Sequence, residues 1–161
     1  MKIHKTFIKD CVWIEPYKFD DNRGIFCETF KSSFLPPFKS VQSSYSFSKQ
    51  GVLRGMHRTP YAKLVTCVKG NVYDVCVDLR PESPTYKQHF GIFLHETTLN
   101  SLYIPPYCAH GFVALSESIL VYQQDSEYDK SVDETYSYKD YNINWPIIPT
   151  IISDKDKNVC T

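Results

Sequence analysis

The chain is 161 residues long, and its eighteen basic side chains balance eighteen acidic ones, so no global field draws it to nucleic acid or to an anionic membrane surface. Hydrophobic residues at 42% and charged ones at 22% exclude a disordered or membrane-spanning chain and can bury a core in one domain over 1–161. Any anion it binds must be held by a local arrangement of charge.

The N-terminal stretch MKIHKTFIKDCVWIEPY is broken by charges and lacks the apolar core of a signal peptide, which points to the cytoplasm. Six cysteines (Cys11, Cys27, Cys67, Cys76, Cys108, Cys160) include no CxxC pair and no zinc-ligand spacing. They read as reduced thiols packed as small hydrophobes. Alternation or short apolar runs mark strands over 6–13, 24–30, 42–47, 64–69, 72–78, 88–94, 101–104, 111–115 and 119–123. Turn residues at short intervals between them point to an all-β sandwich or barrel. The runs 63–69 and 72–79 read as a hairpin across Gly70-Asn71. In the second run Tyr73, Val75, Val77 and Leu79 share one face, and Asp74 and Asp78 on the other would meet solvent or a lumen. Helix is expected only over 129–135 and in a turn around 31–34, because ten prolines, including Pro36-Pro37 and Pro105-Pro106, punctuate the loops. The tail from Asn144 onward mixes apolar anchors with charge and should pack back on the barrel.

Arg54, His57 and Lys63 fall within ten residues of one another. A neutral imidazole can act as a general base near pH 7, and flanking cations suit an anionic substrate. His57 alone would read rather as a structural or surface histidine; Arg54, Lys63 and His110, which sits in the loop-like PPYCAHGF, make a phosphate-linked substrate the sharper reading. A metal site is disfavoured, since the five histidines include no HxH pair. Tyr122 and Tyr128 could each donate a proton or stack on a sugar, although each could also be packing.

A series of segments in order along the chain then becomes specific: DNRGIFCETF (21–30), VQSSYS (41–46), GVLRGMH (51–57), KLVTCVKGNVYDVCVDLRPESPTY (63–86), YIPPYCAHGF (103–112), the Tyr122/Tyr128 pair, INWP (143–146) and ISDKD (152–156). With them the sequence resembles the dTDP-4-dehydrorhamnose 3,5-epimerase family. The resemblance implies an all-β cupin-type jelly-roll barrel with a few short helices. It implies a cofactor-independent epimerase acting at C3, C5 or both of a nucleotide-linked 4-keto sugar. His57 matches the catalytic base, Asp156 its carboxylate partner and Tyr122 the acid on the opposite face of the sugar. Lys63, His110 and Tyr128 match residues around the sugar, and Arg54 a diphosphate contact. Gln42 and Ser44 fall in the family's substrate-binding QxNxS segment. Arg23 and Glu28 match residues given across a homodimer interface. No metal or organic cofactor is implied, and the chain has no GxGxxG element to bind a dinucleotide.

The chain departs from the family pattern in three places. Ser44 stands where Asn is expected, His57-Arg58-Thr59 replaces HxQ, and the loop to Lys63 is short. All three bear on recognition rather than proton transfer, which points to another nucleotide-linked 4-keto sugar, such as a GDP-linked 6-deoxyheptose used in surface (capsular) polysaccharide. Competing expectations are a 3,4-ketoisomerase on the same barrel, a non-catalytic nucleotide-sugar binding module, and a metal-dependent cupin oxygenase.

Overall fold

A computed structural model describes residues 1–35 and 37–159; Pro36 and Cys160, on which two expectations fell, lie outside the described residues. β1 (Lys2–Lys5) and β2 (Val12–Glu15) form one hairpin, β3 (Lys18–Asp21) and β4 (Gly24–Cys27) another. After a 3-10 turn at Ser32–Phe34 come β5 (Gln42–Ser48), β6 (Val52–Arg58), β7 (Lys63–Lys69), β8 (Asn71–Asp78), β9 (His89–His95), β10 (Ser101–Ile104), β11 (Cys108–Ala114) and β12 (Ser118–Gln124). A second 3-10 turn, Lys130–Val132, precedes β13 (Glu134–Thr135), and β14 (Ile151–Ile152) leads into the one-turn helix α1 (Asp154–Lys157).

One sheet has the order β1-β2-β10-β7-β12-β5 and the other β13-β6-β11-β8-β9, with β14 added parallel to β6. Val65, Cys67, Leu102 and Leu120 of the first sheet pack with Val72, Cys76, Leu94 and Phe112 of the second, so the main core is the seam between two facing sheets. This is the expected jelly roll, built as a sandwich whose two sheets remain separate. A second apolar layer covers the other face of β8, where Val75, Val77 and Leu79 meet Tyr136, Tyr138 and Trp145. The tail therefore packs back as expected, and it closes the outer face of the second sheet.

Several local expectations change. Of the strand expected over 6–13 only Val12 and Trp13 lie in one, at the start of β2: Thr6 donates to the Cys11 carbonyl and Asp10 adopts φ 65°, closing the β1–β2 hairpin. Ile8 and Cys11 are buried at the turn, which imitates strand alternation. The strand expected over 24–30 stops at Cys27. β7 and β8 do not form a hairpin. β7 pairs with β10 and β12 while β8 pairs with β9 and β11, so Gly70-Asn71 is a corner between sheets. Asp74 and Asp78 are both fully buried rather than solvated. Asp78 accepts from Arg80 at 2.8 Å, Ser83 at 2.5 Å and Thr85 at 2.6 Å, which pins the 80–85 loop. Burial alone would raise its carboxyl, but these donors outweigh it and hold it well below the usual carboxylate range. In place of a helix over 129–135 there is a 3-10 turn followed by a short strand. The five described cysteines are free thiols, four of them buried.

Candidate active site

β6 reads poorly as a strand because Gly51 precedes it and Gly55 interrupts it, yet it is the backbone of the site. Gly55 and Gly111 cross at the bulge between β6 and β11 so closely that a Cβ on Gly55 would lie 2.5 Å from Gly111 Cα. That approach sets His57 and His110 opposite each other as cross-strand partners. On the other side of β6, β14 runs parallel beside Val52 and Leu53, and Ser153 caps α1 by accepting from Asp156 N–H at 3.2 Å. The stitched strand brings α1 over Gly55–His57, so a residue 99 positions away meets the histidine. His57 Nε2 lies 2.7 Å from Asp156 Oδ1, and the Gly55 amide donates to Oδ2 at 3.3 Å.

Asp156 is only 4% exposed. Burial by itself would raise its carboxyl, but the His57 hydrogen bond and charge, with the Gly55 amide, bring it below the ordinary value. A carboxylate can only accept, so Nε2 is the protonated nitrogen and Nδ1 of neutral His57 is the basic one. Beside this pair stands a second: His110 Nε2 is 2.7 Å from Asp74 Oδ1, with both residues buried. His110 is thus in a strand, not a loop, and Asp74 fixes its ring.

A cavity of about 540 Å³ separates these groups from the first sheet. On β12, Tyr122 faces it, packed edge-on to His110 at 6.3 Å, with its hydroxyl 2.9 Å from Ser46 Oγ on β5. Burial raises the Tyr122 phenol well above its usual range, against the opposing effect of Ser46, so it is fully protonated at neutral pH. Lys63, at the start of β7, also lines the cavity, and burial lowers its amine to about 8. At pH 7 it is about nine-tenths charged.

Arg54 lines the same cavity, steadied by Ser48 Oγ at 3.1 Å and the Phe47 carbonyl at 3.1 Å. Ser44 lines it as well, while Gln42 sits behind, its amide donating to Ser44 Oγ at 2.9 Å and its carbonyl accepting from Tyr128 N–H at 2.8 Å. Tyr128 is at the mouth and half exposed; its hydroxyl donates to Asp133, which also pairs with Lys155 at 2.7 Å. Arg23 and Glu28 are not brought to this cavity. Arg23 pairs with Asp21 at 2.6 Å on the β3–β4 hairpin, and Glu28 pairs with Lys31. Among the described residues no cluster of three or more His, Cys, Asp or Glu side chains has a metal-holding arrangement.

Sequence reasoning missed Tyr61, Gln124, Asp133 and Lys155, all of which line the cavity. Gln124 could have been found, since it is two residues from Tyr122 on one strand and must share its face. Tyr61 could not, because its direction depends on how the short loop before Lys63 folds.

Comparison with known proteins agrees with this architecture. Residues 5–161 match the family described as dTDP-4-dehydrorhamnose 3,5-epimerase. The dTDP-4-dehydrorhamnose 3,5-epimerase of Shigella flexneri is 41% identical over 98% of this chain and 94% of its own length. The crystal structure of dTDP-6-deoxy-D-glucose-3,5-epimerase from Legionella pneumophila, in complex with dTDP-4-keto-L-rhamnose, superposes with a TM-score of 0.92 at 34% identity, covering 97% of this chain and 89% of that one. A 3'-monoepimerase from Streptomyces bikiniensis in complex with dTDP-quinovose gives 0.91 at 29% identity, covering 98% and 86%. The fold, the full-length match and these identities show that the chain belongs to the dTDP-4-dehydrorhamnose 3,5-epimerase family of isomerases.

Proposed function

We propose that the protein inverts C3, C5 or both of a nucleotide-linked 4-keto-6-deoxy sugar by proton removal and return. The carrying observation is the His57–Asp156 pair on the second sheet opposite Tyr122 on the first, with the cavity between them. The hydrogens on C3 and C5 are α to the ketone and therefore acidic. Nδ1 of His57 takes one, and Asp156 stabilises the imidazolium that forms. Lys63 supplies positive charge for the enolate oxygen, in a site where little water screens it. Tyr122 then delivers a proton from the other face, which inverts the carbon, and Ser46 holds the phenol in place. His110, oriented by Asp74, packs against the Tyr122 ring and keeps it in register with the sugar. Arg54 clamps the diphosphate, with Ser44 and Tyr128 beside the substrate and Gln42 setting both.

We read the active form as a homodimer in the cytoplasm. The β3–β4 hairpin lies outside both main sheets and exposes Phe19, Ile25 and Phe26, each more than half accessible, next to Arg23 and Glu28. An apolar hairpin tipped with an arginine is suited to packing on a second copy and reaching its cavity. Free thiols fit a reducing compartment. The departures at Ser44 and in the 58–62 loop favour a sugar or nucleotide different from the family's usual one, a GDP-linked heptose included.

The test is incubation in D₂O with a panel of dTDP- and GDP-linked 4-keto sugars. Deuterium should appear at the epimerised carbon, and His57→Asn should abolish it while the far-UV spectrum is kept. Binding without exchange on any member of the panel would leave a binding module, and a carbonyl found at C3 would make the enzyme a ketoisomerase.

A further inference from the structure

Two polar groups in the cavity have no part in the proton transfers. Tyr61 and Gln124 are 7% and 8% exposed, both line the cavity, and neither Tyr61 Oη nor Gln124 Nε2 makes a hydrogen bond of ordinary geometry among the described residues, although the two side chains lie close enough for Gln124 to act on the Tyr61 phenol. Buried donors are rarely left so, because desolvation is then uncompensated. The fold nevertheless holds both firmly. Thr59 Oγ1 donates to the Tyr61 carbonyl at 3.1 Å, Tyr107 N–H to the Thr59 carbonyl at 2.8 Å and Ala62 N–H to Asp125 at 2.8 Å, so the backbone of the short loop that carries Tyr61 is pinned. Gln124 faces the cavity from β12, in register with Lys63, whose ammonium lies 5.7 Å from the Tyr61 ring centroid.

The chemistry of the two atoms selects the ligand. A carboxamide N–H donates and a phenol O–H donates or accepts, and neither carries charge. They suit an uncharged oxygen with its own proton, whereas a phosphate would be drawn to Arg54. Both are buried, and the Lys63 ammonium, placed above at the enolate oxygen, lies against the Tyr61 ring, so they meet the sugar rather than the diphosphate.

We propose that Tyr61 and Gln124 form a two-point subsite for a sugar hydroxyl and so determine which sugar is accepted. The proposal rests on the nucleotide-sugar reading above. It is tested with Tyr61→Phe and Gln124→Met, each nearly isosteric, by calorimetric titration of dTDP-rhamnose, GDP-mannose, dTDP and GDP, beside the D₂O exchange assay. For whichever nucleotide sugar the unmodified protein binds, each variant should lose roughly tenfold in affinity, while affinity for the matching free nucleotide stays within about twofold. The double variant should lose less than the product of the single losses, because both groups hold one oxygen. Unchanged sugar-nucleotide affinity in both variants overturns the subsite while leaving the epimerase reading intact. Equal weakening of the free nucleotide also overturns it, since the groups would then act elsewhere on the ligand. A protein that neither binds these probes nor exchanges deuterium overturns the nucleotide-sugar reading, and the subsite with it.

Discussion

Lys63 gives the sharpest quantitative test, because its role in catalysis and its effect on stability should have opposite signs. Its amine is brought from 10.5 to about 8, chiefly by burial, and Asp133, the carboxylate that favours its charge, is already paired with Lys155 and Tyr128. At 1.36 kcal/mol per tenfold change in proton affinity, that displacement amounts to about 3 kcal/mol of instability carried by the folded state while the group is charged in both states. Below about pH 8 the cost is fully present. Between about 8 and 10.5 the unfolded chain binds more protons than the folded one, so stability rises with pH and the cost disappears. Lys63→Met, similar in length and uncharged, should therefore stabilise the protein by about 2–3 kcal/mol at pH 7, and the gain should shrink towards zero near pH 10.5. The same substitution should cut the exchange rate by roughly 10²–10³, the usual effect of losing one group that stabilises an oxyanion. Urea unfolding at fixed protein concentration, at intervals from pH 7 to 10.5, reads the first effect and D₂O exchange the second. A variant destabilised at pH 7, or a gain that does not decline with pH, would refute the reasoning, because Lys63 would then not be a buried, uncompensated charge.

Other outcomes follow from single contacts. Asp156→Asn can donate to His57 Nε2 and so favours the tautomer protonated on Nδ1, which leaves no base; exchange should fall by roughly 10³–10⁴ with substrate affinity little changed, measured by comparing kcat with KM. Gly55→Ala places a Cβ 2.5 Å from Gly111 Cα and 2.7 Å from the His110 carbonyl at φ 124°, so thermal unfolding should show a loss of about 2–4 kcal/mol and a lower Tm. The Asp78 carboxyl is held low by Arg80, Ser83 and Thr85, so its contribution to stability is present above about pH 4 and lost as pH falls below it. Asp78→Asn should flatten the acid limb of the stability–pH curve as well as lower stability at pH 7. Arg23→Ala should leave the melting temperature of the fold unchanged yet lower activity, and a fully active monomer by light scattering would contradict the homodimer.

Much of the chemistry was legible along the chain. Arg54, His57 and Lys63 sit in one short run whose residue types suggest proton transfer near an anion, Tyr122 and Asp156 take their proposed roles only from the family resemblance, and period-two alternation marked β5, β7 to β10 and β12 closely. Alternation is a local property, set by which side chains can share a pleat face, so it survives without knowledge of partners. It failed where turn chemistry imitated a strand at Ile8 and Cys11, and where glycines required for close approach hid the strand that carries Arg54 and His57. It could not choose between a hairpin and a change of sheet at Gly70-Asn71, since both satisfy the same pattern.

Composition, alternation and the ordered motifs by themselves determined an all-β chain, its likeness to one family and a histidine among local cations that would suit an anionic substrate. Tertiary structure supplied the contacts themselves: the parallel pairing of β14 with β6 sets Asp156 on His57, and the 59–62 loop brings Tyr61 to the cavity. The reason is physical. Pleat faces are fixed by neighbours in sequence, whereas a hydrogen bond between residues 57 and 156 exists only when sheet pairing has already closed the chain between them.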